Sequence, residues 1–110
     1  MPVGWAASRT SPERRPARFG VSVSVARRPR LFTAVAVGRE GLAMTGDEPL
    51  PENRLLEAKI YGARPFSVWV LSRLCRRDGS GYQVEVQPFA LTGPLREAWD
   101  SLVYEPAPPG

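Results

Sequence analysis

Two arginines four positions apart, Arg14 and Arg18, precede the first β-prone stretch of the chain. A guanidinium group is always charged, can form two parallel hydrogen bonds to a phosphate, and can lie flat on an aromatic ring. Their type and spacing therefore suit the binding of a phosphorylated ligand. The alternative interpretation is a solvated arginine-rich segment.

Most catalytic and metal-binding chemistry is made improbable by the composition. The 110 residues contain no histidine and a single cysteine, Cys75. Histidine is the commonest general base near neutral pH and a frequent metal ligand, and a lone cysteine cannot form an internal disulfide. We therefore expect no enzyme activity, no catalytic residue, no metal site and no cofactor.

The positive charge is concentrated in the first half of the chain. Residues 1–46 hold eight arginines and two acidic residues, whereas residues 47–110 hold seven basic and nine acidic residues, for a net charge of +4. Such an asymmetry attracts anions. Because a GC-rich genome also produces arginine at the expense of lysine, the position of the arginines carries more weight than their number.

The length predicts one domain between two short tails. Residues 1–12 follow no period and are predicted to be a flexible N-terminal tail, in which Trp5 is available to dock on a partner. Residues 106–110 hold three prolines and are predicted to be a Pro-rich tail. Between them, residues 13–105 form the predicted domain. No apolar run is long enough to span a membrane and the N-terminus does not look like a signal peptide, which predicts a cytoplasmic protein.

Six short stretches show the alternation or the β-prone composition of strands. They cover residues 19–26, 31–37, 42–45, 55–61, 66–75 and 82–87. Residues 55–61 also fit a helical face, but Gly62 and Pro65 bound a run that is too short for a stable helix. Residues 27–30 are predicted to form an exposed turn, and residues 76–81 the loop of a hairpin.

The chain ends with a different period. Residues 95–103 place apolar side chains on one stripe of a helix, with Thr92 or Gly93 as the cap and Pro94 in the first turn. The expected fold is all-β with a C-terminal helix, as a six-stranded antiparallel barrel that the helix seals. Trp69, Trp99 and Cys75 are predicted to be core or barrel-to-helix contacts.

This order of features resembles a PilZ domain over residues 13–104. The resemblance rests on the Arg-x-x-x-Arg segment at residues 14–18, the valine-rich strand, the strand leading to a glycine turn, the Trp-bearing strand, the hairpin and the final helix. It implies a bacterial β-barrel domain whose candidate ligand is cyclic di-GMP. Arg14 and Arg18 would then contact the ligand.

The second ligand motif of the PilZ family, Asp or Asn-x-Ser-x-x-Gly, aligns with residues 36–41. Gly41 is kept and would let the backbone approach the ligand, but Ala36 and Gly38 replace the acid or amide and the serine. Two absent hydrogen-bonding partners cost roughly 2–6 kcal/mol, compared with about −8 kcal/mol for a micromolar complex. Binding of cyclic di-GMP is therefore predicted to be weakened or lost.

Three functions remain open at this point. The first is a non-enzymatic PilZ-type binding or adaptor domain of cyclic di-GMP signalling. The second is an adaptor that contacts a protein partner without the nucleotide. The third is a small basic nucleic-acid-binding barrel. It is less favoured, because the strand alternation does not indicate exposed aromatic residues among the arginines.

Overall fold

The computed structural model describes residues 14–104, which fold into six strands followed by one helix. The predicted limits at residues 12 and 106, the rest of both tails and Trp5 lie outside the described residues. The elements are β1 (Arg15–Val25), β2 (Arg28–Gly38), β3 (Gly41–Gly46), β4 (Leu55–Tyr61), β5 (Phe66–Asp78), β6 (Gly81–Phe89) and α1 (Gly93–Tyr104).

The strands form a closed antiparallel barrel in the order β1-β2-β3-β6-β5-β4. This confirms the predicted fold class. Alternating apolar side chains point into the barrel and form one core. The interior positions on the strands are Val21, Val23, Phe32, Ala34, Val37, Leu42, Met44, Leu56, Ala58, Ile60, Val68, Val70, Val84 and Val86.

The exposed turn predicted at residues 27–30 is present, but it occupies Ala26 and Arg27 instead. Strand β2 already begins at Arg28, and the chain reverses over Ala26 and Arg27, which have φ values of 51° and 67°. Positive φ at both central residues is the geometry of the tight turn that matches the twist of two antiparallel strands. The sequence did not reveal this turn because neither residue is the glycine or asparagine that usually occupies such positions.

Two other features of the strands differ from expectation. The hairpin loop is shorter than predicted, because β5 continues to Asp78 and pairs with Gly81 at the start of β6. Trp69, predicted to be in the core, is 49% exposed on the outer face of β5, opposite Phe89 of β6, which is 51% exposed. Trp69 alternates with the buried Val68 and Val70, so its side chain must point away from the interior.

Helix α1 packs on the barrel through the apolar stripe that the sequence predicted. Trp99 and Val103 are its buried residues. The indole N–H of Trp99 donates a hydrogen bond of 2.9 Å to the backbone carbonyl of Gly38 at the end of β2. Near the other end of the helix, Nη1 of Arg15 donates to the carbonyl of Val103 at 2.7 Å. The helix is thus attached to both β1 and β2.

Within residues 14–104, no helix combines the length and the apolar character needed to cross a membrane.

Candidate functional site

The structure brings Arg14 and Gly41 together. Arg14 immediately precedes β1, and its guanidinium group lies over the first residue of β3. A Cβ atom at Gly41 would lie 2.5 Å from Nη2 and 3.3 Å from Cζ of Arg14. Only glycine therefore leaves room for the guanidinium in this position, which is a steric role rather than a requirement for positive φ.

Small residues form the surface beneath Arg14. Strands β2 and β3 pair Ala36 with Ala43 and Gly38 with Gly41, while Val37 and Leu42 between them point into the core. Side chains alternate along a strand, so these four residues lie on the outer side of the barrel wall, where Gly38, Gly41 and Ala43 are buried under other groups and only Ala36 is partly exposed. We call Ala36, Gly38, Gly41 and Ala43 the small-residue floor. The predicted second motif therefore lies on the outer side of the barrel wall, beneath the arginine with which the first motif begins.

The floor lacks the polar side chains of the family motif at the expected place. Ala36 and Gly38 carry no hydrogen-bonding side-chain atoms, and the carbonyl of Gly38 already accepts the bond from Trp99. A ligand lying on this surface would have to take its polar contacts from neighbouring residues.

Arg14 forms an ion pair with Glu85 of β6. The register places Glu85 opposite Ala43, and the neighbouring Val84 and Val86 are buried, so Glu85 faces outward beside the floor. The side chains of Arg14 and Glu85 are only 14% and 15% exposed. Sequence reasoning missed Glu85, because its proximity to Arg14 follows from the register across β3 and β6.

Arg18 occupies a different setting from the one predicted. The sequence placed it ahead of the first strand, but β1 begins at Arg15, and Arg18 lies at an irregularity of β1 between Pro16 and Phe19. It is exposed. The side-chain atoms closest to a Cβ at Gly41 belong to Arg14, so Arg14 is the arginine of the first motif that the structure places against this glycine.

A shallow pocket of about 330 Å³ adjoins this region. Its lining includes Arg39 and Glu40 of the glycine turn, Gln87 of β6 and Arg96 of α1. Gln87 is two residues beyond Glu85 on the same face of β6, which makes the pocket a neighbour of the Arg14 and Glu85 pair. The two arginines outnumber the one carboxylate in the lining, that of Glu40, and Arg96 also forms an ion pair of 3.9 Å with Asp100.

A second pocket, of about 380 Å³, has a different electrostatic character. It is lined by Asp47 and Asp78 together with Tyr82, Thr33 and other residues of β2, β3 and β6. Two carboxylates oppose the approach of a phosphate. The surface around Arg14 and the pocket at Arg39 and Arg96 are accordingly the better place for an anionic ligand.

The solved structures similar to this chain include a PilZ domain. The PilZ domain of YcgR from Escherichia coli, solved with c-di-GMP, superposes with a TM-score of 0.70 at 11% identity, covering 83% of this chain and 86% of that one. YcgR from Escherichia coli in complex with c-di-GMP gives a TM-score of 0.69 at 9% identity, over 83% of this chain and 42% of that one.

The inhibitor of motility MotI/DgrA from Bacillus subtilis is also similar, with a TM-score of 0.65 at 13% identity, over 78% of this chain and 45% of its own. This chain thus spans less than half of MotI/DgrA and of the longer YcgR structure. No protein-family model matches the sequence, and no curated protein matches it. The chain is a PilZ-like domain by its fold.

Proposed function

We propose that this chain is a non-enzymatic binding domain of bacterial cyclic di-GMP signalling that acts in the cytoplasm, with an affinity for the nucleotide below that of domains carrying both ligand motifs. The contact between the Arg14 guanidinium and Gly41 is the observation that carries the proposal. It joins Arg14 of the first motif to Gly41 of the second in a PilZ-like barrel.

The ligand would lie over the small-residue floor, on the outside of the Arg14 guanidinium that covers Gly41. Arg14 and the exposed Arg18 would bind its phosphates or stack on its guanine rings. Gly41 would keep the surface flat, and Gln87 and Arg39 border the same surface with polar atoms. The absent side chains at Ala36 and Gly38 remain the reason for weak binding, at a cost of roughly 2–6 kcal/mol.

Calorimetric titration with cyclic di-GMP tests this function. We expect weak binding by the unmodified chain, further loss in Arg14→Ala and Arg18→Ala proteins, and no loss in Arg76→Ala, which removes an exposed arginine on β5. Restoring the second motif with Ala36→Asp and Gly38→Ser should increase the affinity. If neither the unmodified chain nor the double variant binds at millimolar ligand, the nucleotide-binding function is refuted.

A second function, contact with a protein partner, is favoured by the exposed aromatic pair. Trp69 and Phe89 are opposite each other on the outside of β5 and β6, and aromatic side chains of this kind are enriched at interfaces. We propose that the domain acts on a protein partner, either in response to cyclic di-GMP or without the nucleotide. A pull-down from the native host in which Trp69→Ser and unmodified bait retain the same proteins would contradict a role for this surface.

A further inference from the structure

We propose that Glu85 is an internal counter-ion for Arg14 that lowers the affinity of the site for anionic ligands. This inference rests on the proposed function, because it identifies a residue that sets the strength of the same site. Glu85 lies outside both motifs of the resemblance, on β6, and reaches Arg14 through the fold alone.

The ion pair is well placed to resist solvent. Both side chains are at least four-fifths buried, and Nη2 of Arg14 donates to Oε2 of Glu85 while lying against Gly41. Partly buried charges are screened by salt much less than exposed ones. The carboxylate therefore neutralises the guanidinium in the position where a phosphate would have to approach it.

One donor of Arg14 is left over. Nη1 is buried and has no hydrogen-bond partner among residues 14–104. Glu85 thus engages one terminal nitrogen, while the other is covered and its hydrogen-bonding capacity is unsatisfied among residues 14–104. A phosphate that displaced the groups covering Nη1 could bind it without breaking the pair, but it would then lie close to the carboxylate.

The expected sign of the effect follows from two opposing magnitudes. At an effective dielectric constant of about 20, a phosphate charge ~6 Å from the Glu85 carboxylate is repelled strongly enough to weaken binding about a hundredfold. In the opposite direction, Glu85 already holds the Arg14 side chain in place, so a ligand does not have to order it. This raises the affinity by roughly twofold to tenfold. Repulsion is the larger effect, so removing the charge should tighten binding about tenfold or more.

Titration of Glu85→Gln with cyclic di-GMP tests the proposal. The amide keeps the shape of the side chain and can still accept a hydrogen bond from Arg14, but it carries no charge. We expect the dissociation constant to fall about tenfold or more. Glu57→Gln is the matched control, because it removes the same charge from an exposed position on β4. If the unmodified chain binds cyclic di-GMP and Glu85→Gln binds it no more tightly, the proposal is overturned.

A second measurement follows the ion pair without any nucleotide. Modification of arginines by phenylglyoxal, mapped by peptide mass, reports how available each guanidinium is. We expect Arg14 to react several-fold faster in Glu85→Gln than in the unmodified chain or in Glu57→Gln, with Arg18 unchanged. Equal rates at Arg14 would show that Glu85 does not hold it. If Arg14 is released but neither protein binds cyclic di-GMP, the proposed function fails while the counter-ion role is supported.

Discussion

Replacing Trp99 by phenylalanine should loosen the helix from the barrel and measurably destabilise the domain. The Trp99 side chain is fully buried and its indole N–H bonds the carbonyl of Gly38. Phenylalanine preserves much of the aromatic contact but has no donor. The carbonyl of Gly38 would remain buried without this partner.

The cost can be estimated from these contacts. An unsatisfied buried acceptor costs about 1–3 kcal/mol, and the void left by the smaller ring adds about 1 kcal/mol. The free energy of unfolding should therefore fall by about 2–4 kcal/mol. For a domain of this size that corresponds to a decrease in Tm of roughly 8–30 °C.

Urea unfolding followed by far-UV circular dichroism measures this difference without depending on tryptophan emission. Trp69→Phe is the matched control, because the same substitution at a half-exposed position should change the free energy of unfolding by less than about 0.5 kcal/mol. A Trp99→Phe protein as stable as the Trp69→Phe protein would refute the view that the indole bond anchors α1.

Two further substitutions test the packing of the barrel, each by the same unfolding measurement. Gly46→Ala should lower the free energy of unfolding by about 1–3 kcal/mol, because its Cβ would lie 2.8 Å from the backbone carbonyl oxygen of Leu31. Gly20→Ala has no contact closer than 3.8 Å and should be neutral or stabilise the domain by up to about 1 kcal/mol. Equal effects of the two substitutions would contradict the steric argument. Ser72→Ala should lower the free energy of unfolding by about 1–3 kcal/mol, because the buried Ser72 hydroxyl is hydrogen bonded to the backbone of the segment before β4. Ser67 is exposed on the same strand, so Ser67→Ala should lower it by less than about 0.5 kcal/mol.

The fold could be predicted from the sequence to the extent that its signals are local. Alternating valines in β1 and the apolar stripe of α1 identify a strand and a helix from their own residues. Trp69 shows the limit of this reasoning. Alternation with Val68 and Val70 already placed it on the opposite face, but its apolar character suggested the core, and only the closed barrel shows that this face is the outside.

The candidate site was predictable in part. The spacing of the arginines and the final glycine of the second motif indicated Arg14 and Gly41, which do lie in contact. The position of Arg18 within β1 could not be predicted, because an irregularity inside a strand cannot be read from composition. Glu85 was missed for a different reason. Its position beside Arg14 depends on the pairing of β3 with β6, strands that are 35 or more residues apart in the chain.

The closed ring of strands restricts how this domain can meet another protein. Within residues 14–104 each strand is hydrogen bonded to a neighbour on either side over at least part of its length, so most of the barrel wall offers no free backbone groups onto which a partner could add a strand of its own. Recognition of the barrel wall must then depend on side chains. For that reason, substitutions of individual surface residues such as Trp69 or Phe89 should be able to separate one interaction from another while leaving the domain folded.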